Sequence, residues 1–337
     1  MRARIAERAG LGYAFGASLL SYYIDGPPRP FSATFAVTNR CNLRCSYCNC
    51  PYMDPTELRL TQIDQLFSRL HRIGIRRLGI AGGEPMLRPD LGDIIAMAKE
   101  RGFFVSVNTN LTLYHRFPDR LAAADLVYTS LDGDPEAHRA ARGAAADRGV
   151  LAGIAQLLAA GTPVVAICVV TEHSLDQADF LLQQAKGGGF RMHFQPQCVD
   201  TEIVRGHVPD TVSNDQFRAF WRYLLDEKRK GRPIISSTAY LKALSQWDDF
   251  AVSARFEEGV RCPAGWGYLY VDPRGHAFPC AYTREKTVAV DMLADDWSTT
   301  WDRKTPCTRC TVGPMLEFNL LFERPVTATL EAIRSYG

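Results

Sequence analysis

The sequence lacks a strong excess of charge of either sign. It contains 39 lysine and arginine residues against 37 aspartate and glutamate residues, which leaves a formal net charge of +2. It also shows no dense run of lysine and arginine and no RNA-binding fingerprint. Because binding to nucleic acid depends on clustered positive charge, this composition argues against nucleic acid as a partner.

The sequence also lacks a secretory signal peptide and a hydrophobic run long enough to cross a bilayer. Its most apolar N-terminal stretch, residues 11–24, follows Arg2, Arg4 and Arg8 and is shorter than the roughly 20 residues that a spanning helix needs. We expect this stretch to form a helix that covers the bottom of the main domain, although basic flanks also permit a peripheral membrane contact. Without a signal peptide, the grouping of seven of the ten cysteines indicates metal ligation in a reducing cytoplasm.

Apolar runs alternate with amphipathic helical stretches after the proline-rich residues 27–30. The predicted strands are 31–38, 77–81, 103–108, 126–130, 163–170 and 191–196. The predicted helices are 61–73, 91–101, 117–124, 150–160 and 175–186. Such alternation is typical of parallel βαβ units, and six of them predict an α/β fold with a partial (β/α)6 barrel.

Three cysteines, Cys41, Cys45 and Cys48, follow the first predicted strand at spacings of four and three positions. Thiolates are the usual ligands of iron–sulfur clusters, and three of them leave one iron of a four-iron cluster open. Structural zinc is the alternative, because zinc also binds cysteines at such spacing, but it needs a fourth ligand. Cys50 is the nearest cysteine that can supply it.

A second motif, Gly82-Gly83-Glu84-Pro85, follows the apolar run 78–81 at the end of the second predicted strand. Glycines let a backbone approach a ligand closely. A carboxylate in a cleft that excludes water can pair with an ammonium group. Glycine and proline occur together in many loops, so the position of this motif at the end of a strand is what makes it informative.

Together the two motifs resemble the signature of the radical S-adenosylmethionine (SAM) superfamily, with Tyr47 as the aromatic residue before the last cysteine. The resemblance implies a six-stranded open barrel whose [4Fe-4S] cluster splits SAM into methionine and a 5′-deoxyadenosyl radical. It also implies that the 82–85 loop receives the methionine amino group and that an external flavodoxin- or ferredoxin-type protein donates the electron. In the same resemblance, Asn108 and Ser130 contact the ribose or methionine part of SAM, and Val170 lies near the adenine.

Other polar residues also stand at predicted strand ends, where ligands bind in parallel α/β folds. They are Thr109, Asn110, Asp132, Thr171 and Gln195. For each of them a turn or capping role is an equally good interpretation. The histidines in or near loops receive no catalytic assignment, since no partner is visible in the sequence: His115, His138, His173 and His193.

The C-terminal third carries four further grouped cysteines, Cys262, Cys280, Cys307 and Cys310. The turn signal at 272–275 predicts a β-hairpin that brings the first two to the same end. Four thiolates fit either one fully ligated cluster or one zinc ion. The order of Cys262, Gly275 and Cys280 resembles the auxiliary-cluster (SPASM/twitch) modules of the superfamily, and the absence of cysteines after Cys310 resembles their single-cluster variety.

These observations predict a lead-in helix at 1–30, a radical SAM barrel at 31–230 and an auxiliary-cluster module at 231–337. The expected reaction is hydrogen abstraction followed by oxidation of a small metabolite, with two [4Fe-4S] clusters and SAM as cofactors. The short lead-in leaves no room for a peptide-recognition domain, which favours a small molecule over a peptide or lipid substrate. Redox-neutral epimerisation or radical addition stays open, as does a metal-stabilised scaffold without radical chemistry.

Overall fold

The computed structural model shows helices alternating with mostly parallel strands, as the sequence predicts, and it describes residues 2–24, 26–143, 146, 149–198, 212–252, 254–255, 262–296, 307, 309–323 and 325. The helices are α1 (Arg2–Tyr23), α2 (Leu60–Arg72), α3 (Leu91–Glu100), α4 (Pro135–Arg142), α5 (Val150–Ala159), α6 (Ala178–Gly188), α7 (Asn214–Arg229), α8 (Thr238–Ser245) and α9 (Gly313–Glu323). The strands are β1 (Ser32–Thr38), β2 (Arg77–Gly82), β3 (Phe104–Thr109), β4 (Leu126–Ser130), β5 (Val164–Val170), β6 (Arg191–Pro196), β7 (Ala254–Arg255), β8 (Tyr268–Val271), β9 (His276–Phe278), β10 (Val290–Asp291) and β11 (Arg309–Cys310).

The chain divides into two compact units. The first unit comprises Met1–Asn42, Asn49–Val127 and Pro263–Pro306, and the second comprises Leu43–Cys48, Tyr128–Cys262 and Cys307–Gly337. The division therefore falls inside β4. The domain boundaries at residues 30 and 230 stay a prediction from the sequence.

In the first unit the strands lie in the order β10-β9-β8-β1-β2-β3. Parallel neighbours flank β1, so that Phe35 lies opposite Ile80 on one side and Val271 on the other. Phe35 and Phe67 are fully buried with ring centroids 6.0 Å apart, and Phe103 continues this edge-to-face cluster. Burial of these aromatic rings fixes α2 against the sheet.

The predicted hairpin forms between β8 and β9, with Tyr270 opposite Phe278 in an antiparallel pair. The Asp272 carboxylate accepts hydrogen bonds from the backbone N–H groups of Arg274 and His276, and Gly275 has a φ of +90° that favours glycine. The parallel pairing of β8 with β1 makes this hairpin an extension of the main sheet of the first unit.

In the second unit β5 and β6 pair in parallel, and β6 is bridged on its other edge by Ile234. Phe194 of β6 packs edge-to-face on Phe220 of α7, at a centroid distance of 5.9 Å. Because neighbouring residues of a strand point to opposite faces, His193 lies on the face away from α7.

The local predictions differ from the structure in two ways. The predicted helix at 117–124 is a short 3₁₀ turn, Pro118–Leu121, preceded by Phe117, whose φ of −141° and ψ of 56° lie outside the helical region. Helix α4 is present where no helix is predicted, as are α7 and α8. The start of α4 carries ordinary signals, since Asp134 caps the N–H groups of Glu136 and Ala137 and Pro135 occupies the first turn.

The predicted N-terminal helix forms as α1. Phe15 packs edge-to-face on Phe31 and Tyr22 on Trp266, whereas Tyr13 and Leu20 are exposed. Among the described residues, no helix is both long enough and apolar enough to cross a membrane. A peripheral contact through α1 stays a prediction.

Candidate active site

The Gly82–Glu84 loop lies directly against the segment that leads from β1 to Cys41. The Gly83 N–H donates to the Thr38 carbonyl and the Glu84 N–H to the Arg40 carbonyl, each at 2.8 Å. A Cβ atom on Gly82 would lie 2.1 Å from the Thr38 oxygen, and one on Gly83 would lie 2.2 Å from the Arg40 oxygen. Only glycine permits this approach of two backbone segments, and the predicted approach of the same glycines to SAM stays a prediction.

The Glu84 carboxylate is buried and accepts three hydrogen bonds. The donors are the Met86 N–H at 2.9 Å, the Thr109 hydroxyl at 2.7 Å and the Asn110 N–H at 2.7 Å. Burial raises the pKa of the Glu84 carboxyl, and the three hydrogen bonds oppose this rise. The carboxylate therefore ties the end of β2 to the end of β3.

The residue after Cys41 joins the same network. The Asn42 side-chain N–H donates to the Thr112 hydroxyl at 2.8 Å, and its side-chain oxygen accepts from the Asn110 amide at 3.0 Å. The Asn110 oxygen in turn accepts from the Thr112 N–H and hydroxyl, at 3.0 and 2.7 Å. The cysteine-bearing loop is thus connected to the loops after β2 and β3.

A salt bridge and the hydrogen bonds beside it support the segment between β1 and Cys41. Arg40 pairs with Glu57 at 2.7 Å, and Glu57 also accepts from the Thr38 hydroxyl. The buried Arg88 donates to the carbonyls of Val37 and Leu58 at 3.1 and 3.0 Å. These bonds tie the end of β1 to the segment that precedes α2.

In the second unit, the Tyr47 ring lies beside the buried ion pair of Arg142 and Asp132. The Arg142 guanidinium stands 5.6 Å from the Tyr47 ring centre and pairs with the Asp132 carboxylate, with one of its bonds 3.2 Å long. Burial raises the pKa of the Cys45 thiol, and Arg142 opposes this rise. Arg142 thus brings positive charge to the loop that carries Cys45 and Cys48.

Asp132 organises the loop after β4. Its carboxylate accepts from the Val169 N–H of β5 at 2.9 Å, and its own N–H donates to His138 Nδ1 at 3.1 Å. Since Nδ1 accepts, the proton of His138 lies on Nε2, which donates to the Ala146 carbonyl at 3.2 Å. His138 is therefore a buried structural residue, in agreement with the absence of a catalytic assignment.

The other predicted SAM contacts lie at the strand ends named from the sequence, in different environments. Asn108 is exposed on β3, Ser130 is half-buried at the end of β4, and Val170 is fully buried at the end of β5. Pro85 is buried at the start of a 3₁₀ turn. Contact of these residues with SAM stays a prediction.

None of the four C-terminal cysteines forms a disulfide, and Cys280, Cys307 and Cys310 are buried. The Cys262 thiol lies 3.4 Å from the side-chain oxygen of Asn319 on α9. Within the described part of the chain, no three histidine, cysteine or acidic side chains form a group that could hold a metal ion. Ligation by both cysteine sets therefore stays a prediction.

The residue types of the cysteine loop fit an iron–sulfur cluster with bound SAM, while the described structure does not bring the three thiols together as a metal-binding group. Cys41, Cys45 and Cys48 are half-buried and form no disulfide, and three thiolates are the donor set that such a cluster needs. The Tyr47 hydroxyl is buried and has no hydrogen-bond partner among the described residues. Buried polar groups in native sites normally have partners, so this hydroxyl fits a polar group of a bound cofactor.

Comparisons with known proteins indicate the family to which the chain is similar. The Radical SAM superfamily profile matches residues 35–184. The mycofactocin maturase MftC of Mycobacterium ulcerans is 33% identical over 289 residues, which cover 82% of this chain and 75% of that protein. The PqqA peptide cyclase of Streptomyces rochei is 29% identical over 163 residues, which cover 46% of this chain and 45% of the cyclase.

Solved structures share the fold at low identity. SuiB of Streptococcus suis bound to SAM superposes with a TM-score of 0.65 at 15% identity, covering 81% of this chain and 66% of SuiB. SuiB bound to the precursor peptide SuiA gives the same TM-score and covers 65% of SuiB. The chain thus spans just under two thirds of SuiB. The likeness bears out the α/β fold with a partial barrel.

Proposed function

This chain belongs to the radical SAM superfamily, and from that premise we propose that it is a radical SAM enzyme that modifies a peptide. The observation that carries the proposal is its similarity to MftC over most of both chains. The names of other relatives support a peptide substrate, since one is a peptide cyclase and another was solved with its precursor peptide. The small metabolite expected from the sequence has no support among these relatives.

In the proposed site, Cys41, Cys45 and Cys48 hold the first [4Fe-4S] cluster. When bound, this cluster supplies the electron that splits SAM into methionine and a 5′-deoxyadenosyl radical. The Gly82–Glu84 loop would present backbone groups to the methionine end of SAM, and the buried Tyr47 hydroxyl would bond to a polar group of the cofactor. Their task is to hold SAM in one orientation and to exclude water.

The finer parts of the proposal concern the C-terminal third. Cys262, Cys280, Cys307 and Cys310 would hold an auxiliary [4Fe-4S] cluster in a SPASM/twitch-like module at 231–337, after a lead-in at 1–30 and a barrel at 31–230. A fully ligated cluster would give electrons a path away from the substrate, which favours oxidation over epimerisation or radical addition. A flavodoxin- or ferredoxin-type donor in the cytoplasm completes the proposal.

The test measures 5′-deoxyadenosine after anaerobic reconstitution, reduction and addition of SAM. A pool of synthetic peptides should raise its formation above the rate without substrate, whereas a mixture of small polar metabolites should not. The triple variant Cys41→Ala, Cys45→Ala, Cys48→Ala should form none, because it lacks the ligands of the first cluster. Cys168→Ala, at a buried cysteine of β5 outside both groups, is the matched control and should behave as wild type.

Stimulation by the metabolites alone would contradict the peptide substrate. Formation of 5′-deoxyadenosine by the triple variant would contradict the assignment of the first cluster. If the wild-type protein formed none under any condition, the scaffold interpretation would replace the enzyme.

A further inference from the structure

Cys41 lies between two residues that are both anchored to the Gly82–Glu84 loop. On one side, the Arg40 carbonyl accepts the Glu84 N–H at 2.8 Å. On the other side, the Asn42 side chain bonds to Asn110, whose own N–H donates to the Glu84 carboxylate at 2.7 Å. The backbone that carries the Cys41 thiol is therefore held to Glu84 along two separate paths.

The second path is chemically specific. The Thr112 hydroxyl gives its proton to the Asn110 oxygen, so its lone pair is available for the Asn42 N–H. The Asn42 oxygen then accepts from the Asn110 amide. Each amide uses both its donor and its acceptor, and an apolar residue at position 42 could form neither bond.

The backbone between Asn110 and Thr112 has a strained conformation at Leu111. Leu111 is buried and has a φ of +57°, which is unusual for a residue other than glycine. Its N–H donates to the Thr109 hydroxyl at 3.1 Å. Strained residues persist where the surroundings hold them and cluster at functional sites. Here the left-handed residue turns the chain so that Asn110 and Thr112 reach the same side chain.

We infer that Asn42 is a positioning residue, whose side chain sets the place of the Cys41 thiolate relative to the Gly82–Glu84 loop and thereby the affinity for SAM. The inference rests on the proposed function, in which Cys41 holds the cluster and the loop receives SAM. Residues that orient metal ligands from outside the ligand set typically change affinity or activity by about 10- to 100-fold when they are removed. We expect a change in that range for SAM.

The test compares Asn42→Ala with Asn214→Ala in the reconstituted full-length protein. Asn214, at the start of α7, donates to the Asp249 carboxylate and accepts from the Phe250 N–H. Its replacement by alanine removes a similar pair of hydrogen bonds away from the proposed site. Iron and sulfide content are measured first, and the electron paramagnetic resonance of the reduced cluster is then titrated with SAM. Asn42→Ala should keep wild-type iron and bind SAM about 10- to 100-fold more weakly. Asn214→Ala should match wild type in both measurements.

A second pair of variants separates positioning from simple loss of packing. Thr112→Val keeps the shape of the side chain but removes the hydroxyl, and it should reproduce the weak SAM binding of Asn42→Ala. Thr112→Ser keeps the hydroxyl and should restore the spectroscopic response to SAM.

The inference is overturned if Asn42→Ala binds SAM as wild type does. It is also overturned if Asn42→Ala loses iron while its remaining clusters bind SAM normally, because Asn42 would then serve assembly. Equal behaviour of Thr112→Val and Thr112→Ser would count against it as well. A wild-type protein with a complete cluster that binds no SAM would overturn the proposed function together with this inference.

Discussion

At the scale of single residues, Glu84 shows how a charged side chain can be buried for a positional purpose. An ionised carboxylate in a protein interior is costly unless hydrogen bonds satisfy it. Met86, Thr109 and Asn110 supply those bonds from two different loops. The sequence motif indicates an acidic residue that meets an ammonium group, and the structure adds that this residue holds the loops together.

Glu84→Gln should destabilise the protein by about 1–3 kcal/mol. The glutamine NH2 group would face one of the three N–H or O–H donors that the carboxylate now accepts from, and that donor would lose its hydrogen bond. Urea unfolding of the reconstituted protein under anaerobic conditions, followed by tryptophan fluorescence, measures the change. Glu100→Gln is the control at an exposed site at the end of α3 and should stay within about 0.5 kcal/mol of wild type. Equal stability of the two variants would show that the three bonds contribute nothing.

Residues of this network differ in how far the sequence reveals them. Asn110 is predicted because it follows a strand in a parallel fold, where ligands bind. Asn42 and Thr112 stand 70 positions apart and form a side-chain bond. No local pattern marks such a pair, since asparagine and threonine are common in any loop.

At the scale of elements, the end of β2 depends on how closely its glycines approach the segment after β1. Gly83→Ala would place a Cβ atom 2.2 Å from the Arg40 oxygen and 2.6 Å from the Asn39 oxygen. Both neighbours are backbone atoms, so the loop itself must move. We expect a loss of about 1–3 kcal/mol in the free energy of unfolding, measured by urea unfolding.

Gly92→Ala is the matched control for this variant. A Cβ atom on Gly92, in α3, would meet its nearest neighbour at 3.8 Å, which is ordinary contact. Alanine is also the better helix former, so this change should stabilise the protein by up to about 1 kcal/mol. Destabilisation of both variants to the same extent would contradict the close approach at Gly83.

The elements themselves follow from local patterns where the pattern is long. The seven-residue strands β1 and β5 are buried apolar runs, and the predicted ranges contain both of them. The 117–124 segment forms only the 3₁₀ turn Pro118–Leu121, and Phe117 before it has a non-helical backbone conformation. Helix α4 has eight residues and few apolar ones, so its capping residues Asp134 and Pro135 were the only strong signal.

At the scale of the whole molecule, the pairing of strands that are distant in sequence is the part of the fold that the sequence does not predict. The 272–275 turn predicts the β8–β9 hairpin, because the turn residues and both strands are adjacent in sequence. The parallel pairing of β8 with β1 joins residues more than 230 positions apart, such as Val271 and Phe35. The predicted auxiliary module therefore shares a sheet with the start of the barrel in the first unit.

The proposed auxiliary cluster makes a prediction for the iron content of the whole chain. The reconstituted protein should hold about eight irons, four for each [4Fe-4S] cluster. The double variant Cys307→Ala, Cys310→Ala should hold about four, because two thiolates cannot retain the auxiliary cluster, and it should still form 5′-deoxyadenosine from SAM. Elemental analysis and the deoxyadenosine assay on the same samples measure both quantities.

A wild-type protein with about four irons and one zinc would show that Cys262, Cys280, Cys307 and Cys310 bind zinc instead, since four thiolates also satisfy that ion. The barrel would then lack the proposed electron path, and the redox-neutral reactions would become the better account of its chemistry.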